Sequence, residues 1–526
     1  MHASYDVVVI GSGFGGAISA CRLAQAGRSV CVLERGRRWA KEEFPRTAAQ
    51  VARAFWNPDD RGLLDYRAFR TVDVIQGCGV GGGSLVYFNV NRPAPASVFA
   101  PPQWPRSITR QSLEPYYSRV REMLEAKPLS PPDGRALPLR TDAFFAAAAS
   151  TGRQLVLMDI AVYTGQPRAN PHSGLPQSGC VYCGNCMLGC HVHAKNTLDL
   201  NYLPVAERHG AEVFSGHEVE RIDPIEPVGS HGYRVSFTSS GPAGAGSGSV
   251  IGRKVIVSAG TLGSNELLLR ARDVYHTLPR LNSSLGAGVS INGDLLLNGT
   301  SGATRLVDPV VGPGITSGVD CGVDGHEIFI SDMGYPESFL WFLEGTLPTA
   351  SRLANTLGAA WSYVSRSLGF SPPWPHTVGL HRLFGGAWSP HFLPYLGMGT
   401  DAGNGALRLS KGRVELDWQH RDSQDMYRRM EDALRQFSVA LGGRYRPSLL
   451  WRWPLRKRLT AHLLGGCRLS AEPATGVVNE WGEVWNYPNL YVSDGSIVPT
   501  ALGVGPSATI AALSERIAEH IVHVSR

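Results

Sequence analysis

The 526-residue sequence lacks any run of 18 or more apolar residues, which predicts that it has no transmembrane helix. Charged residues are scarce at 18%, and a formal net charge of +6 is small for this length, so nucleic acid is not an expected partner. No apolar segment typical of a signal peptide precedes the first predicted strand, Tyr5–Ile10, so we expect a cytoplasmic location. The hydrophobic fraction of 43% excludes a disordered or fibrous chain.

The first 36 residues have the pattern of a strand, a glycine turn, a helix, a second strand and an acid. Gly11 permits the tight turn, Gly13 lets the backbone approach a pyrophosphate, and Gly16 lets the helix lie close to the strand. Glu34 follows the second strand, where its carboxylate can accept hydrogen bonds from both ribose hydroxyls. This pattern predicts a dinucleotide site without separating FAD from NAD. The alternative is a glycine-rich turn in an ordinary βαβ unit.

Three further segments are rich in glycine. Residues 77–83 can pass close to a flat or charged ligand, or can form a plain loop. Residues 258–264 form a second strand-to-glycine-to-helix junction, after a predicted strand at Val250–Val257. Residues 239–249 separate that strand from another at Tyr233–Thr238, and their Gly/Ser/Ala/Pro composition predicts a flexible hairpin tip.

Residues 300–455 are rich in tryptophan and phenylalanine, which predicts a separate layer that either walls an apolar pocket or fills a core. An amphipathic helix is predicted over Ser423–Leu441, and a second helix follows Pro506, which suits a first helical turn. The aromatic residues of this layer include Phe339, Trp341, Phe342, Trp361, Trp374, Trp388 and Trp418.

Five motifs, in order along nearly the whole chain, resemble those of the glucose–methanol–choline (GMC) oxidoreductases, in particular their cholesterol-oxidase-like branch. They are Gly11–Gly16 with Glu34, Gly79–Val86, Ala259–Ser264, His462–Cys467 and Tyr491–Ser496. Five motifs in the right order are far more specific than any one of them. The resemblance implies that the dinucleotide is FAD.

The resemblance also implies an α/β fold (α+β overall). A Rossmann-like FAD-binding domain, discontinuous in sequence, would stand beside a substrate-binding domain built on an antiparallel sheet and helices. The implied segments are 1–105, 195–295 and 456–526 for FAD, 106–194 for a cap with the cysteine cluster, and 296–455 for substrate. The residues implied to bind FAD are Gly11, Gly13, Phe14, Gly15, Gly16, Glu34, Arg35, Gly79, Gly81, Gly82, Gly83, Ser84, Val219, Ala259, Gly260, Asp494, Gly495, Pro506 and Ser507.

The resemblance places a catalytic acid/base at His462, since similar proteins pass a hydride from an alcohol to flavin N5 while a histidine handles the hydroxyl proton. The family's second catalytic residue, a His or Asn, is replaced by Gly505, just before Pro506. We therefore predict an FAD-dependent oxidoreductase acting on the CH–OH group of a bulky apolar substrate, sterol-, terpenoid- or polyketide-like. The electron acceptor would be O2, a protein or a quinone. The alternative prompted by Gly505 is a flavoprotein that catalyses another, possibly redox-neutral, biosynthetic transformation.

Four cysteines at Cys180, Cys183, Cys186 and Cys190 have the spacing of a ferredoxin-type run, which predicts a possible iron–sulfur cluster. The proline expected after the last cysteine is absent, so His191 or His193 would be an alternative ligand. Zinc, disulfides and free thiols are the other interpretations. A cluster near the flavin would favour a dehydrogenase over an oxidase, or a third class of function, an electron-transfer or binding subunit.

Overall fold

The structure, a computed structural model, describes residues 1–56, 61–131, 134–241, 244–323, 325–339, 390–451 and 456–524. Some of the predicted aromatic layer lies outside these described residues: Trp341, Phe342, Trp361, Trp374 and Trp388. The helices are α1 (Phe14–Gln25), α2 (Ala48–Arg53), α3 (Glu114–Met123), α4 (Leu139–Ser150), α5 (Tyr202–Arg208), α6 (Gly260–Asp273), α7 (Gln424–Ala440) and α8 (Ser507–Val524).

The strands are distributed along the whole described chain. They are β1 (Ser4–Ile10), β2 (Val30–Glu34), β3 (Leu64–Ala68), β4 (Val72–Gly77), β5 (Lys127–Pro128), β6 (Leu155–Leu157), β7 (Asp159–Ile160), β8 (Arg168–Ala169), β9 (Pro176–Gln177), β10 (Glu212–Ser215), β11 (His217–Pro224), β12 (Tyr233–Gly241), β13 (Gly244–Val257), β14 (Ala287–Ser290), β15 (Leu295–Ser301), β16 (Ser317–Asp320), β17 (Ile328–Asp332), β18 (Leu393–Gly399), β19 (Gly405–Ser410), β20 (Arg413–Asp417), β21 (Arg444–Arg446), β22 (Arg458–Thr460), β23 (Leu464–Gly466) and β24 (Leu490–Val492).

A seven-stranded sheet carries the glycine turn predicted at the N-terminus. Its order is β10-β2-β1-β13-β12-β11, and β24 pairs with the last residues of β13. Strands β10, β2, β1, β13 and β24 are mutually parallel, whereas β12 and β11 continue the sheet antiparallel. The apolar run Val7–Ile10 is buried because helices cover the parallel part of the sheet, and α1 lies against α5 and α8. The sheet thus draws its strands from three separate stretches of the chain.

The hairpin between β12 and β13 differs from the prediction. Pairing runs from Tyr233 opposite Gly252 to Gly241 opposite Gly244, so residues 239–241 and 244–249 are strand rather than a flexible tip. Glycine and serine lower strand propensity, but the backbone ladder needs no side chain when a paired strand is already in register. The prediction of a flexible tip is therefore wrong for the described residues.

A second, six-stranded antiparallel sheet has the order β21-β15-β18-β17-β16-β6. One face of this sheet is covered by α4 and α7, where the ring of Tyr395 meets those of Phe144 and Phe437. Glycine at position 397 lets α7 approach closely, since a Cβ there would lie 2.2 Å from the sulfur of Met430. The opposite face, which carries Phe329, borders the cavity described below. The predicted amphipathic helix is confirmed as α7.

The fold is mixed α/β, with parallel and antiparallel sheets, as the sequence predicts. The seven-stranded sheet combines chain from the predicted FAD segments, and the six-stranded sheet lies mainly within 296–455. The exact domain boundaries stay a prediction. Among the described residues, none of the helices combines the length and apolar character needed to span a lipid bilayer.

Candidate active site

One large cavity of about 1450 Å³ joins the glycine turn after β1 to the open face of the six-stranded sheet. Its volume exceeds the roughly 300–1,000 Å³ of an ordinary ligand pocket, which leaves room for a cofactor and a substrate together. The sequence-predicted residues that line it are Gly11, Gly13, Phe14, Gly15, Glu34, Arg35, Gly82, Gly83, Val219, Ala259, Gly260, His462, Asp494, Gly495, Gly505, Pro506 and Ser507.

The glycines of the N-terminal turn divide into packing positions and a ligand position. A Cβ at Gly11, Gly15 or Gly16 would lie 2.3, 1.4 or 1.9 Å from a backbone carbonyl oxygen, so neighbouring backbone requires glycine there. Gly13 differs, because a Cβ would meet its first atom, the Cα of Gly82, at 4.0 Å. The protein itself therefore leaves space beside Gly13, which is what a pyrophosphate passing close to the backbone needs.

Glu34 fixes this turn by its carboxylate. One oxygen, Oε2, accepts hydrogen bonds from the amide and the hydroxyl of Ser12 at 3.0 and 2.7 Å, and Oε1 accepts one from the amide of Gly36 at 2.8 Å. A carboxylate offers about four acceptor sites, so roughly one remains on Oε1. The expected contact of Glu34 with both ribose hydroxyls stays a prediction. With about one acceptor site left, the carboxylate has room for a hydrogen bond from one hydroxyl rather than two.

The second glycine cluster approaches the first turn directly. Gly82 has φ +53°, and a Cβ there would lie 2.6 Å from the Cα of Gly13. At Gly83 a Cβ would meet nothing within 4 Å, so this residue also opens to the cavity. In contrast, Gly79 lies against Trp39, and Gly81 lies near the Asp199 carboxylate. Four of the residues predicted to bind FAD do not line the cavity: Gly16, Gly79, Gly81 and Ser84.

Ser84 stays buried because it ties its own loop together. Its hydroxyl donates to the carbonyl of Gly81 and accepts from the amide of Leu198. Gly79 and Gly81 have φ of +137° and +106°, conformations that glycine adopts without strain. These residues therefore shape the loop that presents Gly82 and Gly83, and their contact with the cofactor stays a prediction.

The central and C-terminal motifs meet at the carboxyl ends of β13 and β24. The hydroxyl of Ser258 donates to the carbonyl of Ser493 at 2.8 Å, and the buried Asp494 accepts hydrogen bonds from Ser264 and Ser496. Burial raises the pKa of Asp494. This network holds Ala259 and Gly495 at the cavity wall, where parallel-sheet proteins bind their ligands.

The N-terminus of α8 also opens onto the cavity through Pro506 and Ser507. Unpaired amides at a helix N-terminus carry partial positive charge, so this end stabilises an anion or the electron-rich side of a ring. The hydroxyl of Ser507 donates to the carbonyl of Val90 at 3.1 Å, which anchors the helix to the segment that follows the second glycine cluster.

These observations fit FAD. The empty space beside Gly13 and Gly83 has no explanation in protein packing and lies between the turn fixed by Glu34 and the N-terminus of α8. An elongated dinucleotide needs close backbone approach at its phosphates and a wide slot for its ring, and the cavity offers both.

His462 is a titratable side chain that lines the cavity and is held in one orientation by a buried carboxylate. Its Nδ1 lies 2.8 Å from Oδ1 of Asp294, and 22% of its side chain is exposed. Because an ionised carboxylate only accepts hydrogen bonds, Nδ1 carries the proton and Nε2 is the ring nitrogen left for another partner. The fully buried Asp294 is itself fixed, since its Oδ2 accepts from the Thr460 hydroxyl at 2.8 Å and the Ala461 amide at 3.0 Å.

Gly505 lines the same cavity, and a Cβ at this position would meet nothing within 4 Å. Its φ does not lie in the left-handed region, so neither strain nor packing requires glycine. The nearby amide of Asn292 does not replace the missing side chain, because it donates to the carbonyl of Val504 and its oxygen accepts from two backbone amides. The site therefore has open space where the resemblance leads one to expect a His or Asn.

The open face of the six-stranded sheet gives the far wall of the cavity an apolar character. Strand periodicity of two places Phe329 and Ser331 on this face of β17, and Leu396 and Met398 on the same face of β18. Arg92 is the cationic side chain on this wall, with its guanidinium carbon 4.3 Å from the ring centre of Phe329. Of the predicted aromatic layer, Phe339 lines the cavity, and Trp418 is buried in the core.

The cysteine cluster does not form a metal site among the described residues, which include all four cysteines. No three of the His, Cys, Asp and Glu side chains in that part of the chain are placed to hold one metal ion, so the predicted iron–sulfur cluster at Cys180, Cys183, Cys186 and Cys190 is not supported. The cysteines are free thiols.

Local contacts explain why the four cysteines do not converge on a metal site, although their spacing in the sequence would allow it. The sulfur of Cys186 accepts from the amide of Asn89 at 3.3 Å, and its carbonyl accepts from the buried ammonium of Lys195 at 2.7 Å. Burial raises the pKa of both Cys180 and Cys190, which opposes the thiolate form that a metal requires. Lys195 also binds the carbonyls of Leu85 and Tyr87, so it ties the cysteine loop to the second glycine cluster.

Sequence reasoning missed three residues of the site. Asp294 follows no motif, and it meets His462 across 168 residues of sequence. Ser12 occupies a variable position of the glycine turn, and Arg92 lies just after the second glycine cluster. Of the three, only Ser12 could have been found from the sequence, because it lies inside the glycine turn and can hydrogen-bond the acid that follows the second strand, Glu34.

Comparisons with known proteins agree with this geometry. Residues 6–285 match the family described as FAD dependent oxidoreductase, and residues 408–514 match the family described as GMC oxidoreductase. The chain is 30% identical to a cholesterol oxidase from Acinetobacter baumannii over 570 residues, covering 98% of this chain and 94% of that protein. It is 25% identical to a long-chain-alcohol oxidase from Arabidopsis thaliana, covering 98% of this chain and 67% of that protein.

The fold has counterparts among solved structures. The crystal structure of pyridoxine 4-oxidase from Mesorbium loti superposes with a TM-score of 0.65 at 18% identity, covering 98% of this chain and 99% of that one. Such low identity shows the fold alone. The family is shown by the 30% identity to a cholesterol oxidase over nearly the full length of both chains, together with the two family matches. The order of the five motifs agrees with this result. The chain belongs to the GMC oxidoreductase family, in its cholesterol-oxidase-like branch.

Proposed function

We propose that this protein oxidises the hydroxyl group of an alcohol with a bulky apolar body, with FAD as cofactor and His462 as the base. The observation that carries the proposal is the pairing of the buried Asp294 carboxylate with His462, which lines the same cavity as the dinucleotide turn. A neutral imidazole with its Nδ1 proton held by Asp294 keeps Nε2 free to accept the hydroxyl proton.

Oxidation of an alcohol to a carbonyl removes a proton from oxygen and a hydride from carbon. Bound FAD supplies the acceptor for the hydride. His462 takes the proton at Nε2, and the charge that the ring gains is balanced by Asp294 at 2.8 Å. Two groups other than His462, the Thr460 hydroxyl and the Ala461 amide, hold Asp294 by hydrogen bonds, and the fixed carboxylate keeps the imidazole plane from rotating away from the substrate.

The lining of the cavity supports an apolar substrate body. Phe329, Leu396 and Met398 offer a wall with no hydrogen-bonding groups in their side chains, and the space at Gly505 enlarges the site next to the helix α8. Relatives named for sterol and long-chain alcohol substrates agree with this chemistry. O2 is the proposed electron acceptor, because both of these relatives are named oxidases.

The test is reduction of the bound flavin by an alcohol under anaerobic conditions, starting from a panel of sterols and long-chain alcohols. We expect His462→Ala to retain FAD and to slow flavin reduction by about 10²–10⁴-fold, which is the usual contribution of a general base. A matched control is His231→Ala, because His231 also contacts a carboxylate, Glu226 at 3.0 Å, but lies at the surface with 69% of its side chain exposed. Flavin reduction in His462→Ala at the rate of the wild type would contradict the assigned role.

A second candidate function is supported by the space at Gly505. The side chain that would hold the substrate oxygen beside His462 is missing, so the same cavity suits a redox-neutral transformation of a bulky substrate. The two candidate functions are distinguished by measuring how much O2 or other electron acceptor is consumed for each molecule of product formed. Stoichiometric consumption of O2 with formation of hydrogen peroxide supports alcohol oxidation, whereas product formation without net use of any oxidant supports the second candidate.

A further inference from the structure

Arg92 is a cation on a mainly apolar wall. Its side chain is half-buried, lines the cavity and lies over the ring of Phe329 at 4.3 Å. The ring of Phe329 is itself buried on β17, opposite Met398 of β18, which lines the cavity too. The guanidinium is therefore held at the substrate wall of the cavity, on the same face as the residues proposed to contact an apolar substrate.

Arg92 has no carboxylate partner in the part of the chain that the structure describes. The two carboxylates whose charges influence the pKa of Arg92 have other partners. Asp159 lies 3.6 Å from Arg121, and Asp320 accepts a hydrogen bond from the amide of Gly322 at 2.9 Å. Burial lowers the pKa of Arg92, while the charges of Asp320 and Asp159, neither of which is within ion-pair distance, act in the opposite direction. The guanidinium is in contact with the Phe329 ring, a cation–π arrangement. At the other end of the cavity, Arg35 is paired with the buried Asp65 at 2.6 Å.

An arginine is an expensive side chain to place against apolar surface without a counter-ion. Its planar fork of N–H donors matches a carboxylate in a bidentate arrangement, and such charge-assisted bonds strengthen where water is excluded. An alcohol with a purely apolar body would leave these donors unsatisfied in the bound complex, which costs binding free energy.

We propose that Arg92 binds a carboxylate at the end of the substrate opposite to the hydroxyl that reacts. The preferred substrates are then amphipathic hydroxy acids rather than neutral alcohols. The apolar wall contacts the body of such a substrate, and Arg92 selects its anionic end. This inference rests on the proposed function for the identity of the reacting group, whereas the carboxylate site itself rests on Arg92 and Phe329.

Binding without turnover tests the carboxylate site. Octanoate and 1-octanol, which have the same chain length, are titrated anaerobically into protein whose bound FAD has first been reduced with dithionite, so that the alcohol cannot be oxidised, and binding is followed by calorimetry. We expect octanoate to bind at least tenfold more tightly than 1-octanol. In Arg92→Met we expect octanoate affinity to fall at least tenfold while 1-octanol affinity changes less than threefold, and Arg92→Lys to retain part of the preference because it keeps the charge without the fork.

A matched control is Arg153→Met. Arg153 also lies over a phenylalanine, Phe437 at 5.5 Å, but it does not line the cavity, so octanoate affinity stays unchanged. FAD content and melting temperature show that each variant is folded. Equal affinity of the wild type for the two ligands, or an equal loss of both in Arg92→Met, overturns the inference. Failure of every alcohol to reduce the flavin would contradict the proposed function and leave the octanoate result standing, so the two outcomes are distinguishable.

Discussion

Nδ1 of His462 lies 2.8 Å from Oδ1 of Asp294, and the carboxylate is fully buried while the imidazole reaches the cavity. The pair joins the segment after β22 to the segment before β15, so two distant parts of the chain set the orientation of one ring. Asp294 does not line the cavity, so in the proposed reaction it is a positioning residue that acts through His462.

Replacing Asp294 by Asn tests this positioning role. The amide retains the shape but offers no charge to balance the imidazolium, so we expect kcat to fall by about 10²-fold while KM changes less than threefold. Steady-state oxidation of the best alcohol measures both constants. Asp417→Asn, at an exposed carboxylate paired with Arg70, is the control and leaves both unchanged. An equal effect on KM would indicate that Asp294 merely supports the substrate wall.

A pair of glycine variants separates cofactor binding from packing. Gly13→Ala adds a methyl group to the space left beside the turn, so we expect weaker FAD binding with an unchanged melting temperature of the apoprotein. Gly16→Ala places its methyl group 1.9 Å from the Gly11 carbonyl oxygen, so it lowers that melting temperature. Flavin fluorescence titration and thermal unfolding of the apoproteins measure the two effects. Unchanged FAD affinity in Gly13→Ala would contradict a pyrophosphate beside this residue.

Filling the open space at Gly505 tests the role of this position in the cavity. Asn fits at this position, since no atom lies within 4 Å of its Cβ and the backbone is not left-handed. We expect Gly505→Asn to raise kcat/KM for a small alcohol such as 1-butanol, by supplying a hydrogen bond to its oxygen, and to lower it for a sterol, by occupying volume. A uniform loss for both substrates would show that the open space has no role in selecting bulk.

His420 gives the protein a pH-dependent stability on the acid side. Burial and the charges of Arg458 and Arg456 lower the pKa of His420 to about 4, and its Nε2 lies 3.3 Å from a guanidinium nitrogen of Arg458, so the ring accepts a hydrogen bond in its neutral form. The unfolded chain, with an ordinary histidine pKa near 6.5, binds the proton more readily between pH 4 and 6.5. Stability from this residue is therefore complete above pH 6.5 and is lost as pH falls.

Substitution of His420 by Gln removes the titration, so we expect the melting temperature of the wild type to fall more steeply than that of H420Q between pH 7 and pH 4.5. Differential scanning calorimetry in matched buffers measures both slopes. Parallel slopes would show that other groups carry the acid sensitivity.

The sequence predicted the parts of the site that depend on local backbone geometry. The glycine turn, its two strands and helix α8 are encoded within short windows, so periodicity and glycine spacing suffice to find them. The mixed α/β fold and the GMC family are confirmed. Residues that serve through distant packing were not predictable in this way, because Asp294 meets His462 only after the sheets assemble.

Two sequence patterns are ambiguous for one physical reason. Glycine at Gly79 and Gly81 serves a left-handed backbone, yet it looks the same in sequence as glycine that makes room for a ligand, as at Gly83. The cysteine spacing likewise allows convergence on a metal without enforcing it, since Lys195 and Asn89 bind the loop in another arrangement. The spacing of glycines and cysteines is compatible with more than one structure, and the tertiary contacts determine which structure forms.

The short strand β24 lies at the far end of the chain and pairs with β13, whose other edge holds β1. The glycine turn at Gly11–Gly16 is synthesised hundreds of residues before Leu490–Val492. The part of the cavity wall that Asp494 and Gly495 supply therefore cannot form until β24 has been synthesised, and a product truncated before Leu490 would lack it.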